Sequence, residues 1–110
     1  METESFKLIV TVVNRGFSEK VMDSAREKGA RGGTVLHGRG TSADSHNIFG
    51  ISIDPEKDIV LIVAKKICCI AIMEAVNEAV GLKTPGSGIC FVLPVDNVVG
   101  IASDSCETGE

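Results

Sequence analysis

Residues 29–41 read GARGGTVLHGRGT, five glycines and two arginines around a short apolar run. Fixing a glycine costs backbone entropy, so such a segment either turns tightly or lets backbone N–H groups approach a ligand. Successive N–H groups in a glycine-rich turn form a concavity that holds an anion without any side chain. A second segment of this kind, KTPGSG, spans residues 83–88. Arg39 and Lys83 lie in or beside these segments and supply positive charge for a phosphate or carboxylate. The chemistry on offer is therefore anion binding, with tight turns and helix caps as the plainer use of the same residues. Neither segment is a GxxxxGK[ST] or a GxGxxG phosphate loop.

Other reactive residues form no familiar group. Cys68, Cys69, Cys90 and Cys106 have no CxxC spacing, and His37 and His46 complete no zinc pattern. Cys68 and Cys69 are expected on a helix as small buried residues. No Ser-His-Asp or Cys-His arrangement emerges by spacing.

The 110 residues fit one domain with its own core, residues 1–5 and 103–110 being expected as flexible ends. A net charge of -4, with no Trp or Tyr, argues against nucleic-acid binding. No apolar run reaches the ~20 residues of a membrane span, and the acidic start is unlike a signal peptide. A cytoplasmic protein without membrane insertion is the expectation.

The elements that must position the glycine segments come as one unit written twice. FKLIVTVV (6–13) reads as a strand and FSEKVMDSAREKG (17–29) as a helix with Phe17, Val21, Met22 and Ala25 on one face. GGTVLH then gives a short strand ending at His37. In the second half, DIVLIVA (58–64) repeats the first strand, and Cys69, Ile72, Met73, Val76 and Val80 mark a helix stopped by Gly81. ICFVLPV (89–95) is a strand, and VVGIA (98–102) reads as a short last one. NIFGISI (47–53) reads as a single strand between the halves, with turn chemistry in DPEKD (54–58). Two such halves predict an α+β, ferredoxin-like β-α-β-β-α-β sandwich, an antiparallel sheet with two helices on one face.

The strands IVTVV, IVLIV and ICFVL are apolar at nearly every position. Apolar side chains then point to both sheet faces, and the uncovered face requires burial against sister subunits, as in a homotrimer. Thr41, Ser42, Ala43, Asp44, Ser45, His46 and Asn47 are polar or small and read as a hairpin-tip loop suited to partner contact.

FKLIVTVVNRG, GARGGTVLHGRGT, FGISIDPEKDIVLIV and GLKTPGSGICFVLPVDNVVGI together resemble the PII (nitrogen-regulatory P-II) signal-transduction family, in its shorter-looped PII-like form. The resemblance covers roughly residues 6–101. It implies a ferredoxin-like trimer that binds an adenine nucleotide (ADP, AMP or ATP) in clefts between subunits, with no required cofactor. It also implies a T-loop that docks on a target protein such as a transporter or enzyme. Carried over by position, Gly38, Arg39 and Gly40 form the base of that loop, and Gly86 and Gly88 belong to the phosphate-gripping B-loop. Thr41 and Lys83 beside them complete the expected nucleotide-binding set, and residues 41–47 are the shortened T-loop. The family's B-loop lysine is Ile89 here, its last-strand arginines fall at Gly100 and Ala102, and its glutamine at Ser42 or a neighbour. Each missing charge removes a bond of about 1.5–3 kcal/mol, so ATP is expected to bind less tightly. Without tyrosine the chain has no site for T-loop uridylylation.

Three other functions share the fold. An acylphosphatase-like enzyme would use Arg15 after the first strand, but the GxVxGVxFR pattern is absent. A metal-responsive trimer of the cation-tolerance type would use Cys68, Cys69 or a histidine. A scaffold that binds no ligand would keep the fold alone.

Overall fold

The computed structural model describes residues 5–41, 46–48, 51–53, 55–82 and 87–101. Its elements are β1 (Phe6–Asn14), α1 (Ser18–Glu27), β2 (Thr34–Arg39), β3 (His46–Ile48), β4 (Ile51–Ile53), β5 (Glu56–Lys65), α2 (Lys66–Val80) and β6 (Gly88–Val95). Four strands form one sheet in the order β2-β5-β1-β6, every neighbouring pair antiparallel. This is the expected β-α-β-β-α-β sandwich, α1 and α2 packing on each other and against one face of the sheet.

The core follows from strand alternation. Ile9 and Val13 of β1 and Val60, Ile62 and Ala64 of β5 meet Val21, Met22 and Ala25 of α1 and Cys68, Cys69, Ile72 and Val76 of α2. Met73 and Val80 pack at the edge of this cluster, as the helical spacing predicts. Cys68 and Cys69 are each 4% exposed, in agreement with their reading as buried helix residues. Gly81 ends α2 in the left-handed conformation (φ 65°), its N–H bonded to the Asn77 carbonyl at 2.9 Å.

Several boundaries differ from the sequence reading. NIFGISI is not one strand: β3 and β4 pair with each other, His46 opposite Ile53 and Ile48 opposite Ile51, in a separate two-stranded sheet. A glycine inside an apolar run marks such a break, and Gly50 lies between the halves. His46 and Asn47, placed in the polar loop, are therefore strand residues, while residues 42–45 lie outside the described set. The DPEKD turn is shorter than its composition suggests, because β5 already begins at Glu56. In register, Arg39 of β2 stands opposite Glu56 and His37 opposite Asp58, to which the His37 side chain is hydrogen-bonded. The same pairing carries β2 through Gly38 and Arg39, two residues beyond the expected end. Phe17 precedes α1 and is 39% exposed instead of lying on its buried face. Residues 98–101 form no strand, and Ala102 lies outside the described residues.

Opposite the helices, the sheet is uncovered and aliphatic. Register places Leu36, Ile59, Val12 and Ile89 in one row across it, and Leu61, Val10 and Phe91 in the next. Leu36, Ile89, Phe91 and Leu93 remain 39–56% exposed. That is a contiguous apolar surface of the kind that marks an interface.

Candidate functional site: a cationic groove at one end of the sheet

The end of β2 meets the start of β5 and the turn after β1. Arg15, His37, Gly38, Arg39, Glu56 and Lys57 line a groove of about 380 Å³ there. The backbone is fixed by the Arg15 N–H donating to the Glu56 carbonyl at 3.1 Å and the Gly40 N–H to the Pro55 carbonyl at 2.8 Å. Gly38 lines the groove, and a Cβ on it would stand 3.2 Å from Ile59 Cδ1; one at the neighbouring Gly40 would stand 3.0 Å from Lys57 Cε.

Beneath the groove a buried carboxylate ties three segments together. Asp58, 3% exposed, accepts from the Gly16 N–H at 3.0 Å through Oδ2 and from His37 Nδ1 at 2.9 Å through Oδ1. The Gly16 backbone bond, helped by His37 and the Ser18 hydroxyl, outweighs burial and holds the Asp58 pKa below the ordinary carboxylate range. This bonding fixes the turn that carries Arg15. The Arg15 guanidinium is hydrogen-bonded to the Glu56 carboxylate, which raises its pKa further and commits its charge. Lys57 Nζ donates to the Asn14 amide oxygen at 2.7 Å, a neutral partner. Arg39 and Lys57 make no ion pair among the described residues. Two cations are thus left to face an incoming carboxylate or phosphate, on a chain whose overall charge is -4.

The sequence-derived site is only partly assembled within one chain. Gly38, Arg39, Gly40 and Thr41 are at this end of the sheet; Lys83 and Gly86 lie outside the described residues. Gly88 starts β6 opposite Val13, which in turn pairs with Asp58. Gly38 and Gly88 therefore stand at the same end of the sheet but on opposite edges. With β5 and β1 between them, the separation is about 14 Å, three strand spacings. Gly88 also has a purely steric reason to be glycine: its φ is 144°, and a Cβ would fall 2.1 Å from the Val12 carbonyl oxygen. Gly33 is likewise fixed by packing, its missing Cβ lying 2.8 Å from Met22 Sδ.

Lys57 and Asn14 are missing from the sequence-derived site. Reading DPEKD as a turn concealed that Lys57 pairs with both Gly38 and Asn14 across the sheet. Among the described residues, no group of three His, Cys, Asp or Glu side chains is placed to hold a metal ion, and no helix is long and apolar enough to cross a membrane.

Fold and groove together define a class: a ferredoxin-like β-α-β-β-α-β domain with a bare aliphatic sheet face and an anion-suited groove at the strand ends. No protein-family model matches the chain, and no curated protein does. Solved structures do. Arabidopsis thaliana PII bound to citrate is 26% identical, with a TM-score of 0.71 over 89% of this chain and 84% of that one. The B. subtilis GlnK–ATP complex is 18% identical, with a TM-score of 0.71 over 86% of this chain and 88% of that one. With the motifs that carry the sequence resemblance, these neighbours support membership of the PII family.

Proposed function

We propose that the chain is a cytoplasmic PII-type regulator, a homotrimer that binds ADP, AMP or ATP in the clefts between its subunits. Residues 41–47, the last two entering β3, form a short T-loop that contacts a target protein such as a transporter or enzyme. The observation that carries this reading is the placement of Gly38 and Gly88, one from each glycine segment, at one end of the sheet but on its two outer edges. Three copies associating through the bare aliphatic face bring the β2 edge of one subunit toward the β6 edge of the next. A cleft then forms between Gly38, Arg39, Gly40 and Thr41 on one wall and Lys83, Gly86 and Gly88 on the other. Arg39 and Lys57 offer charge to the phosphates there. The ATP and citrate bound in the two neighbouring structures are small anions of the kind this groove suits.

The competing reading is a scaffold of the same fold, favoured by Gly88, whose identity sterics alone explain. Calorimetric titration with ATP, ADP and AMP separates the two. Regulation predicts saturable heat at one nucleotide per subunit from at least one of them. No heat from any, with the trimer intact, leaves the scaffold.

A further inference from the structure

His37 lines the cationic groove beside Arg39 and Lys57, with one ring nitrogen tied down and the other not. Its Nδ1 is bonded to Asp58 Oδ1 at 2.9 Å, yet the side chain as a whole is 75% exposed. Asp58 is fixed in turn by the Gly16 N–H at 3.0 Å and by the Ser18 hydroxyl at the head of α1. Those bonds favour the charged carboxylate, which only accepts, so Nδ1 carries the proton of the His37–Asp58 bond. The nitrogen left to the groove is Nε2, an acceptor on the neutral ring and a donor once the ring is protonated. Among the described residues Nε2 makes no hydrogen bond.

We propose that His37 is a proton-switched ligand of this groove, which with Arg39 and Lys57 holds a terminal phosphate group and gains a proton at Nε2 on doing so. The proposal rests on the reading of the groove as an anion site, and needs neither nucleoside recognition nor the trimer. The charged groups around His37 are Glu56, Lys57 and Asp58 from β5, Arg15 from the turn after β1, and Arg39 from β2 itself. Arg15 is engaged by Glu56, and Asp58 by Gly16 and His37. Together these groups carry a net charge of +1 with His37 neutral and +2 with it protonated. A phosphate dianion matches the second state, and its three terminal oxygens match three donors. A carboxylate, with one charge and two oxygens, leaves a donor unmet.

The step is acid–base only. Nε2 takes a proton from solvent, or from the phosphate when that arrives as a monoanion, and no bond to phosphorus forms. Anion binding and protonation of Nε2 favour each other by linkage, so binding strengthens as pH falls through the range where an imidazole changes charge. Asp58 adds nothing to this dependence, because its pKa is held below the ordinary carboxylate range.

A phosphate ester titrates itself near pH ~6, so inorganic sulfate, a tetrahedral dianion at every pH used, is the first probe. The chain has two histidines, His37 and His46, and NMR reads the ring Cε1–H signal of each in the full chain. At pH 7, replacing chloride by sulfate at equal ionic strength should raise the ratio of imidazolium to imidazole at His37 at least threefold, with His46 unchanged. An unmoved His37 signal, or an equal response at both histidines, overturns the proposal. Calorimetry with ADP then compares the wild type with His37→Gln. The substitution should weaken binding at least threefold at pH 6.5 and less than twofold at pH 8.5. Equal affinities of the two proteins at both pH values overturn the proposal and leave the regulator standing. A sulfate response at His37 without ADP binding by either protein upholds the phosphate subsite and removes the nucleotide.

Discussion

Leu93 offers the sharpest perturbation of the bare sheet face. It lies opposite Leu8 of β1, which faces Val63 of β5, and is 44% exposed in the single chain. Replacing a fully buried leucine by alanine removes about 2.4 kcal/mol of transfer energy, at ~0.8 per carbon. Only the 44% still exposed is available to association, which makes the loss on trimerisation about 1 kcal/mol per subunit. Three subunits give about 3 kcal/mol, or a trimer dissociation constant weakened ~100-fold. Leu93→Asp acts more strongly, because an unpaired carboxylate taken out of water costs several kcal/mol in each copy. Light scattering coupled to gel filtration, from 1 to 100 μM, reads the outcome directly, and circular dichroism checks that the monomer keeps its fold. The expected series is a trimer for the wild type, a concentration-dependent mixture for Leu93→Ala and a folded monomer for Leu93→Asp. A Leu93→Asp protein that remains trimeric at 1 μM refutes the assignment of this face to the interface.

Other substitutions probe the groove and its supports. Because the Asp58 pKa is lowered on folding, its contribution to stability is present above the ordinary carboxylate range and lost as pH falls through the folded value. Asp58→Asn should cost about 1–3 kcal/mol in urea melts at pH 7, and the difference from wild type should narrow below pH 4; a constant difference contradicts it. Gly88→Ala should destabilise by more than ~2 kcal/mol, since a Cβ has no room beside the Val12 carbonyl. Gly40→Ala, which meets only the flexible end of Lys57, should change the urea midpoint little. Arg39→Ala should weaken nucleotide binding by about 10-fold or more, the worth of a hydrogen bond to a charged group, with an unchanged melting temperature. Equal calorimetric affinities in the two proteins would remove Arg39 from the site.

Hydropathy and β-branching were enough to show the two β-α-β halves, the buried faces of both helices and the doubly apolar strands. Those signals are set by burial, which dominates local structure when apolar runs are long. DPEKD (54–58) misled because its composition favours a turn, whereas cross-strand pairing makes Glu56 to Asp58 strand residues. His37 with Asp58 holds a charged residue in a ladder that no local rule anticipates. The glycines were legible as special but not as to why. Gly88 is dictated by the Val12 carbonyl and Gly33 by Met22, while Gly38 lines the cationic groove and Gly40 abuts the Lys57 side chain. Lys57 joined the site only once its register against Gly38 was known, since 19 positions of sequence separate the two.

Native mass spectrometry of the purified chain titrated with ADP tests most directly whether sheet association builds the anion cleft. The account predicts a three-chain ion that fills stepwise to three nucleotides, and loss of all bound nucleotide when Leu93→Asp yields single chains. Nucleotide bound with the same affinity to the single chain would contradict it, because the two glycine-bearing edges would then have no need to meet across a subunit boundary.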